Sequence, residues 1–224
     1  MDNSAVIINL KGVSFVYHGN QSQRPVLDDL TLQVSRGQRV GLIGPNGSGK
    51  TTLFHLLLGL LRPTQGEIVV FGKRRQDEKD FREVREKIGL LFQDSDDQLF
   101  CPTVAEDVAF GPLNLGRSQE EALKITRQVL ARLGLEGFEN RLTYKLSGGE
   151  KRLISLATVL AMQPEVLVLD EPTTGLDEDT VERLVQILTS SNLTYVIASH
   201  NKDFLSKTTD IVYRLGRGKL ARAT

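Results

Sequence analysis

The chain has 224 residues, enough for one large domain with a full core and few for two, and its 40% apolar and 25% charged residues are ordinary for a globular protein. Lys+Arg and Asp+Glu both number 28, so the formal net charge is zero and no global basic field points to nucleic acid or an anionic membrane. The one cysteine, Cys101, excludes an internal disulfide framework and fits a reducing compartment. Residues 1–6 show no export signal. The longest apolar run, residues 53–61, contains a histidine and falls well short of the roughly 20 residues that a membrane span needs. If the protein works at a membrane, another chain is expected to supply the membrane part. No repeat or low-complexity linker is present.

In chain order, the first third predicts strands at residues 13–17, 30–34 and 39–43, the last entering a glycine-rich loop. Leucines at helical spacing follow over residues 51–61, ended by Arg62-Pro63, and strands are expected at 67–71 and 88–92. Residues 94–162 change to helix. Ser118-Gln-Glu-Glu121 is a capping-box pattern ahead of Leu123, Val129, Leu130 and Leu133, with Gly134 as the stop. Ser147-Gly-Gly-Glu150 has the same spacing and opens a helix through Leu153, Leu156 and Leu160. Strand signals return at 166–169, 195–198 and 211–213 around a helix near 178–190. Such alternation predicts an α/β fold with a parallel sheet. We divide this single domain (1–224) into a β subdomain plus core (1–93 and 163–224) and a mainly helical subdomain (94–162).

Gly44-x-x-x-x-Gly49-Lys50-Thr51 is a P-loop pattern, placed after an apolar strand and before a helix. Backbone N–H groups of such a loop turn inward around phosphate oxygens, and the helix start adds about half a positive charge. Lys50 is expected at the β- and γ-phosphates of a nucleotide and the Thr51 hydroxyl on Mg²⁺. Val166-Leu-Val-Leu-Asp170-Glu171 is an independent signal: a buried parallel strand delivers paired carboxylates at its C-terminal edge. Asp170 is expected to hold Mg²⁺, and Glu171 to take the proton of the attacking water.

The P-loop, Leu146-Ser-Gly-Gly-Glu150 and Leu169-Asp-Glu-Pro172 together resemble the ATP-binding-cassette (ABC) ATPase family over nearly the whole chain. That resemblance implies a P-loop NTPase with a RecA-like parallel-sheet core, an N-terminal antiparallel β subdomain and a helical subdomain, using ATP and Mg²⁺. It places Gly44, Pro45, Asn46, Gly47, Ser48, Gly49, Lys50, Thr51 and Thr52 around the phosphates. Tyr17 matches the aromatic residue that stacks on adenine, Gln93 the Q-loop glutamine that serves Mg²⁺ and catalysis, Gly175-Leu-Asp177 the D-loop, and His200 the H-loop histidine. Taken singly, each admits a plainer role: Tyr17 as core, Gln93 as a surface amide, His200 as a structural hydrogen-bonder. His18 and His55 match no family role and are expected to be structural. Asn201 stands where aspartate is common, and Lys151 where glutamine is frequent. The resemblance further implies two cassettes, identical or paralogous, packed head to tail, with Ser147, Gly148, Gly149 and Glu150 of one completing the other's ATP site. Taken alone, Ser-x-x-Glu is equally an ordinary capped helix.

Residues 93–116 contain Asp94, Asp96, Asp97, Glu106 and Asp107 but no lysine or arginine, alongside Leu99, Phe100, Val104 and Phe110. An acidic rim around apolar anchors suits a basic amphipathic helix, and a solvated loop is the alternative. Asp-Asp-Gln-Leu-Phe and Thr-Val-Ala-Glu-Asp-Val-Ala-Phe-Gly-Pro resemble the ATPases of energy-coupling-factor importers of cobalt, nickel or vitamins. This implies a transmembrane coupling protein docked at residues 94–116, and a peripheral place on the cytoplasmic face of the membrane. Asp94-Ser95 departs from the asparagine-proline usual there, and the C-terminal extension of many relatives is not seen before Thr224. Cobalt or nickel is the first expectation for cargo, and a vitamin such as biotin the second. Cys101 is expected to pack rather than to bind metal. A cassette acting on nucleic acid or the ribosome is disfavoured by the neutral charge and by the lack of a second cassette. A P-loop kinase or GTPase has no use for Leu-Ser-Gly-Gly-Glu.

Overall fold

The computed structural model describes residues 6–17, 24–190 and 192–223; His18 lies outside them. Strand β1 (Val6–Phe15) pairs antiparallel with β2 (Leu27–Ser35) and with β4 (Gln65–Val70), and β4 pairs with β5 (Lys73–Arg75), giving the order β2-β1-β4-β5. Along β2, Leu30, Leu32 and Val34 point inward while Thr31 and Gln33 face solvent, the period-two pattern of a half-buried sheet. The first strand begins at Val6 rather than residue 13. Lys11-Gly12 reads as an interruption in sequence but is a bulge: the register shifts between Leu10 and Val13, with Gly12 at φ +58°.

The second sheet runs β10-β9-β3-β8-β7-β6. Strands β3 (Arg39–Ile43), β6 (Ile88–Leu91), β7 (Val166–Asp170), β8 (Thr194–Ala198) and β9 (Ile211–Gly216) are parallel, and β10 (Lys219–Arg222) closes one edge antiparallel to β9. All residues of β7 and β8 are buried, as continuous apolar runs covered on both faces should be. Val166 and Val168 enter one core, shared with the antiparallel sheet and helix α1 (Lys50–Leu57), whereas Leu167 and Leu169 enter a second. That second core lies under α3 (Val104–Asn114), α4 (Gln119–Arg132), α5 (Gly148–Ala161) and α6 (Glu178–Thr189). Each leucine or valine so buried contributes about 2 kcal/mol relative to exposure, so β7 is pinned from both sides.

The capping boxes at Ser118 and Ser147 form: each serine Oγ accepts the N–H of Glu121 or Glu150, whose carboxylate accepts the serine N–H. Two further helices, α2 (Glu78–Lys87) and α3, carry the same device at Asp77 and Thr103, the latter written in sequence as Thr103-Val-Ala-Glu106. Asn201 caps the short α7 (Lys202–Thr208) by accepting the Phe204 N–H at 2.9 Å, so amide replaces carboxylate there without loss of the cap.

Candidate functional site

Strands β3, β8 and β7 are neighbours, and their C-terminal ends bring residues 44–49, 199–200 and 170–171 to one edge of the sheet. At the end of β3 the chain turns so tightly that a Cβ on Gly44 would lie 2.3 Å from the Leu215 carbonyl oxygen. Gly49 precedes α1 at φ +103°, where a Cβ would also meet Leu27 at 2.8 Å, so only glycine fits. No side chain caps α1, which leaves its first N–H groups directed at the loop. Ser48 Oγ is buried without a hydrogen-bond partner. Lys50 Nζ donates to the carbonyls of Gly44 (2.8 Å) and Pro45 (3.4 Å), and the Thr51 hydroxyl donates to Asp170 Oδ2 at 2.6 Å. An orphaned hydroxyl, an uncapped helix start and a lysine resting on carbonyls form a donor set suited to phosphate.

A cleft of about 590 Å³ joins this loop to Tyr17, Gln93, Asp170, Glu171 and His200. Tyr17 is 41% exposed, its hydroxyl lies 3.1 Å from Thr52 Oγ1, and its ring meets Phe15 edge-on. It is therefore not core, and its ring is open to a stacking partner. Asp170 is buried, and burial pushes its carboxyl above the usual range, opposed first by the Thr51 hydrogen bond and then by Lys50, Arg152 and His55. Glu171 sits at φ +49°, a left-handed conformation that costs on the order of 1 kcal/mol, with its N–H donating to Ala198 O at 2.9 Å. Glu171 Oε2 accepts the His200 N–H at 3.2 Å, and Oε1 lies 3.4 Å from His200 Nε2 without a hydrogen bond. His200 Nε2 instead meets Asn46 Oδ1 at 3.0 Å, where it donates in the tautomer that carries the proton on Nε2. His55 is half-buried against Phe92, and burial lowers its pKa.

A raised carboxyl sets the sign of a stability test. Folded Asp170 holds its proton more tightly than the unfolded chain does, a contribution present below the ordinary carboxylate range and lost as pH rises through the raised value. Asp170→Asn, which keeps an acceptor for Thr51, is expected to raise the stability of the nucleotide-free protein over wild type at pH 7 and to leave it unchanged near pH 4. Thermal melts at the two pH values check this; a variant less stable than wild type at pH 7 contradicts it.

Ser147 and Gly148 are exposed at the start of α5, and the residues lining the P-loop cleft include none of 147–150. Gly148 lines a neighbouring cleft of about 780 Å³ that shares Thr51, Gln93 and Thr174 with the P-loop cleft. A Cβ on Gly148 would touch nothing within 4 Å among the described residues, so none of them requires glycine there. Gly149 is tighter: a Cβ there would lie 3.1 Å from the Gly175 carbonyl oxygen, which brings the start of α5 against residues 175–177. The Ser147 oxygen accepts the Glu150 N–H, and the Ser147 N–H and hydroxyl hydrogen-bond the Glu150 carboxylate, holding that carboxyl below its usual range.

The family model described as ABC transporter matches residues 27–174. The chain belongs to the ABC transporter family. It is 44% identical, over 96% of its length and 69% of the relative's, to the energy-coupling factor transporter ATP-binding protein EcfA of Methanothermobacter thermautotrophicus. The structure of cbiO1 from Clostridium perfringens, part of the ABC transporter complex cbiONQ, superposes with a TM-score of 0.83 at 33% identity, covering 96% of this chain and 87% of that one. The dimeric post-hydrolysis structure of the cassette MJ0796 with ADP and Pi gives a TM-score of 0.90 at 28% identity, covering 97% and 98%. This ABC protein is an ATPase whose relatives include ATP-binding subunits of the energy-coupling-factor type.

Two residues of the cassette emerge that sequence reading passed over. Gln98 accepts the Phe92 N–H at 3.1 Å and donates to Ser155 O and Thr158 Oγ1, both at 2.8 Å, so it ties the chain after β6 to α5. Arg152, 3% exposed, donates to the carbonyls of Phe92, Gln93, Asp170 and Glu171. Burial lowers its pKa to about 10. A run of basic residues after a signature helix start looks like a solvated face in sequence; only the packing of α5 on β6 and β7 turns it inward.

The acidic segment needs correction. Asp107 is not on a rim: it is buried, and its Oδ1 accepts the N–H groups of Phe100 (3.2 Å) and Cys101 (3.1 Å). Glu106 closes the α3 capping box, and Asp96 pairs with Lys151 at 2.6 Å. Val104 is core and Leu99 packs against it, because α3 gives this stretch the helical period that its sequence hides. Phe100 (66% exposed) and Phe110 (45%) remain, stacked edge-on 4.8 Å apart over an apolar groove of about 330 Å³ floored by Leu58, Leu90 and Met162. Burial and Asp107 push the Cys101 thiol up to about 11, so it is inert.

Proposed function

We propose that this cassette is the ATP-hydrolysing subunit of an energy-coupling-factor importer, driving uptake of cobalt or nickel ions through a transmembrane partner. The observation that carries the engine is the division of its anion sites: the P-loop cleft gathers the residues for holding and cleaving ATP, while Ser147 and Gly148 are exposed at the start of α5 and line no part of that cleft. Two copies, or this chain and a paralogue, close head to tail so that each finishes the other's site.

Within each site Lys50 exchanges the Gly44 and Pro45 carbonyls for β- and γ-phosphate oxygens, and Tyr17 stacks on adenine. The P-loop residues 44–49 and Thr52 line the phosphates. Thr51, Asp170 and Gln93 would hold Mg²⁺, which would neutralise charge on the phosphates. The Glu171 carboxylate takes a proton from water as its oxygen attacks the γ-phosphorus, the bond to ADP breaks, and the His200 Nε2–H steadies the phosphoryl oxygens. Asn46 now occupies that donor. Ser147 and the N–H groups of Gly148 and Gly149 add donors from the other cassette, with Glu150 holding the cap that orients them.

The Phe100–Phe110 groove is the docking place for the membrane partner's helices, at the cytoplasmic face. Among the described residues no helix is long and apolar enough to cross a membrane, and no group of three or more His, Cys, Asp or Glu could hold a metal ion. Cargo is then read by the partner. Phe110→Asp is expected to abolish co-purification of integral membrane proteins from detergent extracts, an effect of about 2 kcal/mol for a central aromatic, with ATP hydrolysis by the isolated cassette retained. Undiminished membrane co-purification, or a pull-down sensitive to nuclease, overturns the docking assignment. Loss of radioactive cobalt or nickel uptake on deletion of the gene tests the cargo.

A further inference from the structure

Arg152 joins two strand ends that the sheet itself does not hold together. The parallel ladder between β6 and β7 ends at Leu91 opposite Leu169. From there the Arg152 guanidinium takes over. Its Nη1 donates to the carbonyls of Phe92 and Gln93 (3.2 Å to the latter), and its Nη2 to those of Asp170 and Glu171 (2.8 Å to the latter). Arg152 forms no ion pair with a carboxylate among the described residues, and its Nε is buried without a partner. Asp170, Glu171 and Asp94 attract this guanidinium through space, but all its hydrogen bonds go to neutral carbonyls, an arrangement that fixes peptide planes rather than pairing charge. Its planar fork can serve two carbonyl pairs at once, which one ammonium nitrogen cannot.

The four carbonyls are not a random set. They belong to the peptides that carry Gln93 and Glu171, and Glu171 is held in a left-handed conformation that its side chain does not favour. Arg152 also lies on α5, whose first residues present Ser147 and Gly148 outward. Lys151 adds a second tie from this helix to the same loop, through Asp96.

We infer that Arg152 is a positioning residue for ATP hydrolysis: it fixes the peptide planes of Gln93 and Glu171, hence the aim of both side chains, and links them to the helix start that faces the second cassette. A displacement of α5 on closure therefore reaches the chain's own hydrolytic carboxylate through one guanidinium. This rests on the reading of Glu171 as general base.

The test uses the purified full chain, with steady-state hydrolysis, fluorescent-nucleotide binding and thermal melting, on Arg152→Lys, Glu171→Gln and the double variant. Arg152→Lys is expected to lower kcat by about 10²-fold, the scale of a misplacement near 1 Å, with KM, nucleotide Kd and melting temperature unchanged. In the Glu171→Gln background the same change should cost much less than 10²-fold, only what the aim of Gln93 contributes, because the carboxylate it aims is gone. A parallel loss of affinity, stability and activity shows a merely structural role and overturns the inference, as does a full additional loss in the double variant. Wild-type turnover in Glu171→Gln alone would sink the base assignment instead, leaving the kcat–KM split of Arg152→Lys to judge Arg152 through Gln93. If Arg152→Lys does not fold, Arg152→Gln is read by the same criteria, and failure of both to fold overturns the inference.

Discussion

Glu171→Gln should bind ATP as tightly as the wild type, lose about 10²–10⁴ of its turnover and accumulate as an ATP-bound dimer. Affinity is retained because the nucleotide's contacts come from the P-loop and Tyr17, and the amide keeps the acceptor that receives the His200 N–H. Turnover is lost because an amide cannot take the proton from water. The backbone is unaffected: the left-handed turn at 171 is fixed by main-chain bonds to Ala198 and Arg152, which the substitution does not touch. Size-exclusion chromatography with saturating ATP and Mg²⁺ reads the dimer, and a variant that stays monomeric there argues against closure by two cassettes.

Ser147→Arg is expected to abolish hydrolysis while nucleotide affinity of the isolated chain stays as it was. The arginine loses the α5 cap, a cost of about 1 kcal/mol against a typical 5–15 kcal/mol of stability, so the chain folds. Its bulk fills the open space in front of Gly148, where a second cassette's phosphate would come. The P-loop cleft does not include residue 147, so binding within the chain is spared. Mixing this variant with Glu171→Gln supplies a diagnostic: each is inactive alone, but a mixed pair has one site with an intact base and an intact serine. Recovery of turnover on mixing identifies the serine as acting across the interface. A large drop in monomer affinity, or no recovery, places it in its own chain's site.

The strong motifs were legible because their chemistry is local. Gly44–Thr51 needs a strand, a tight loop and a helix in sequence, and all three are written between Arg39 and Leu57. The capping boxes at Ser118 and Ser147 are equally local. What escaped depends on distance along the chain. Arg152 reaches carbonyls some sixty and twenty residues away, and nothing in its neighbours announces that. Asp107 looks like one more surface carboxylate until α3 turns it inward to the Phe100 and Cys101 amides. The edge strands β5 and β10 are too short, and helix α2 too polar, for periodicity to mark them; they are held by tertiary contacts, as in the burial of Arg75 against the Val70 carbonyl.

The alternation of β7 between two cores bears on how such proteins can be altered. Leu167, Leu169, Tyr195 and Ile197 form the floor on which the helical segment rests, while their neighbours Val166, Val168 and Val196 belong to the opposite layer. Excising the helices would strip that floor to water, and grafting a foreign set would demand a matching floor from strands that already answer to another partner. The helical segment is thus no cartridge to be exchanged, and diversity in what these motors drive must enter at its outer surface.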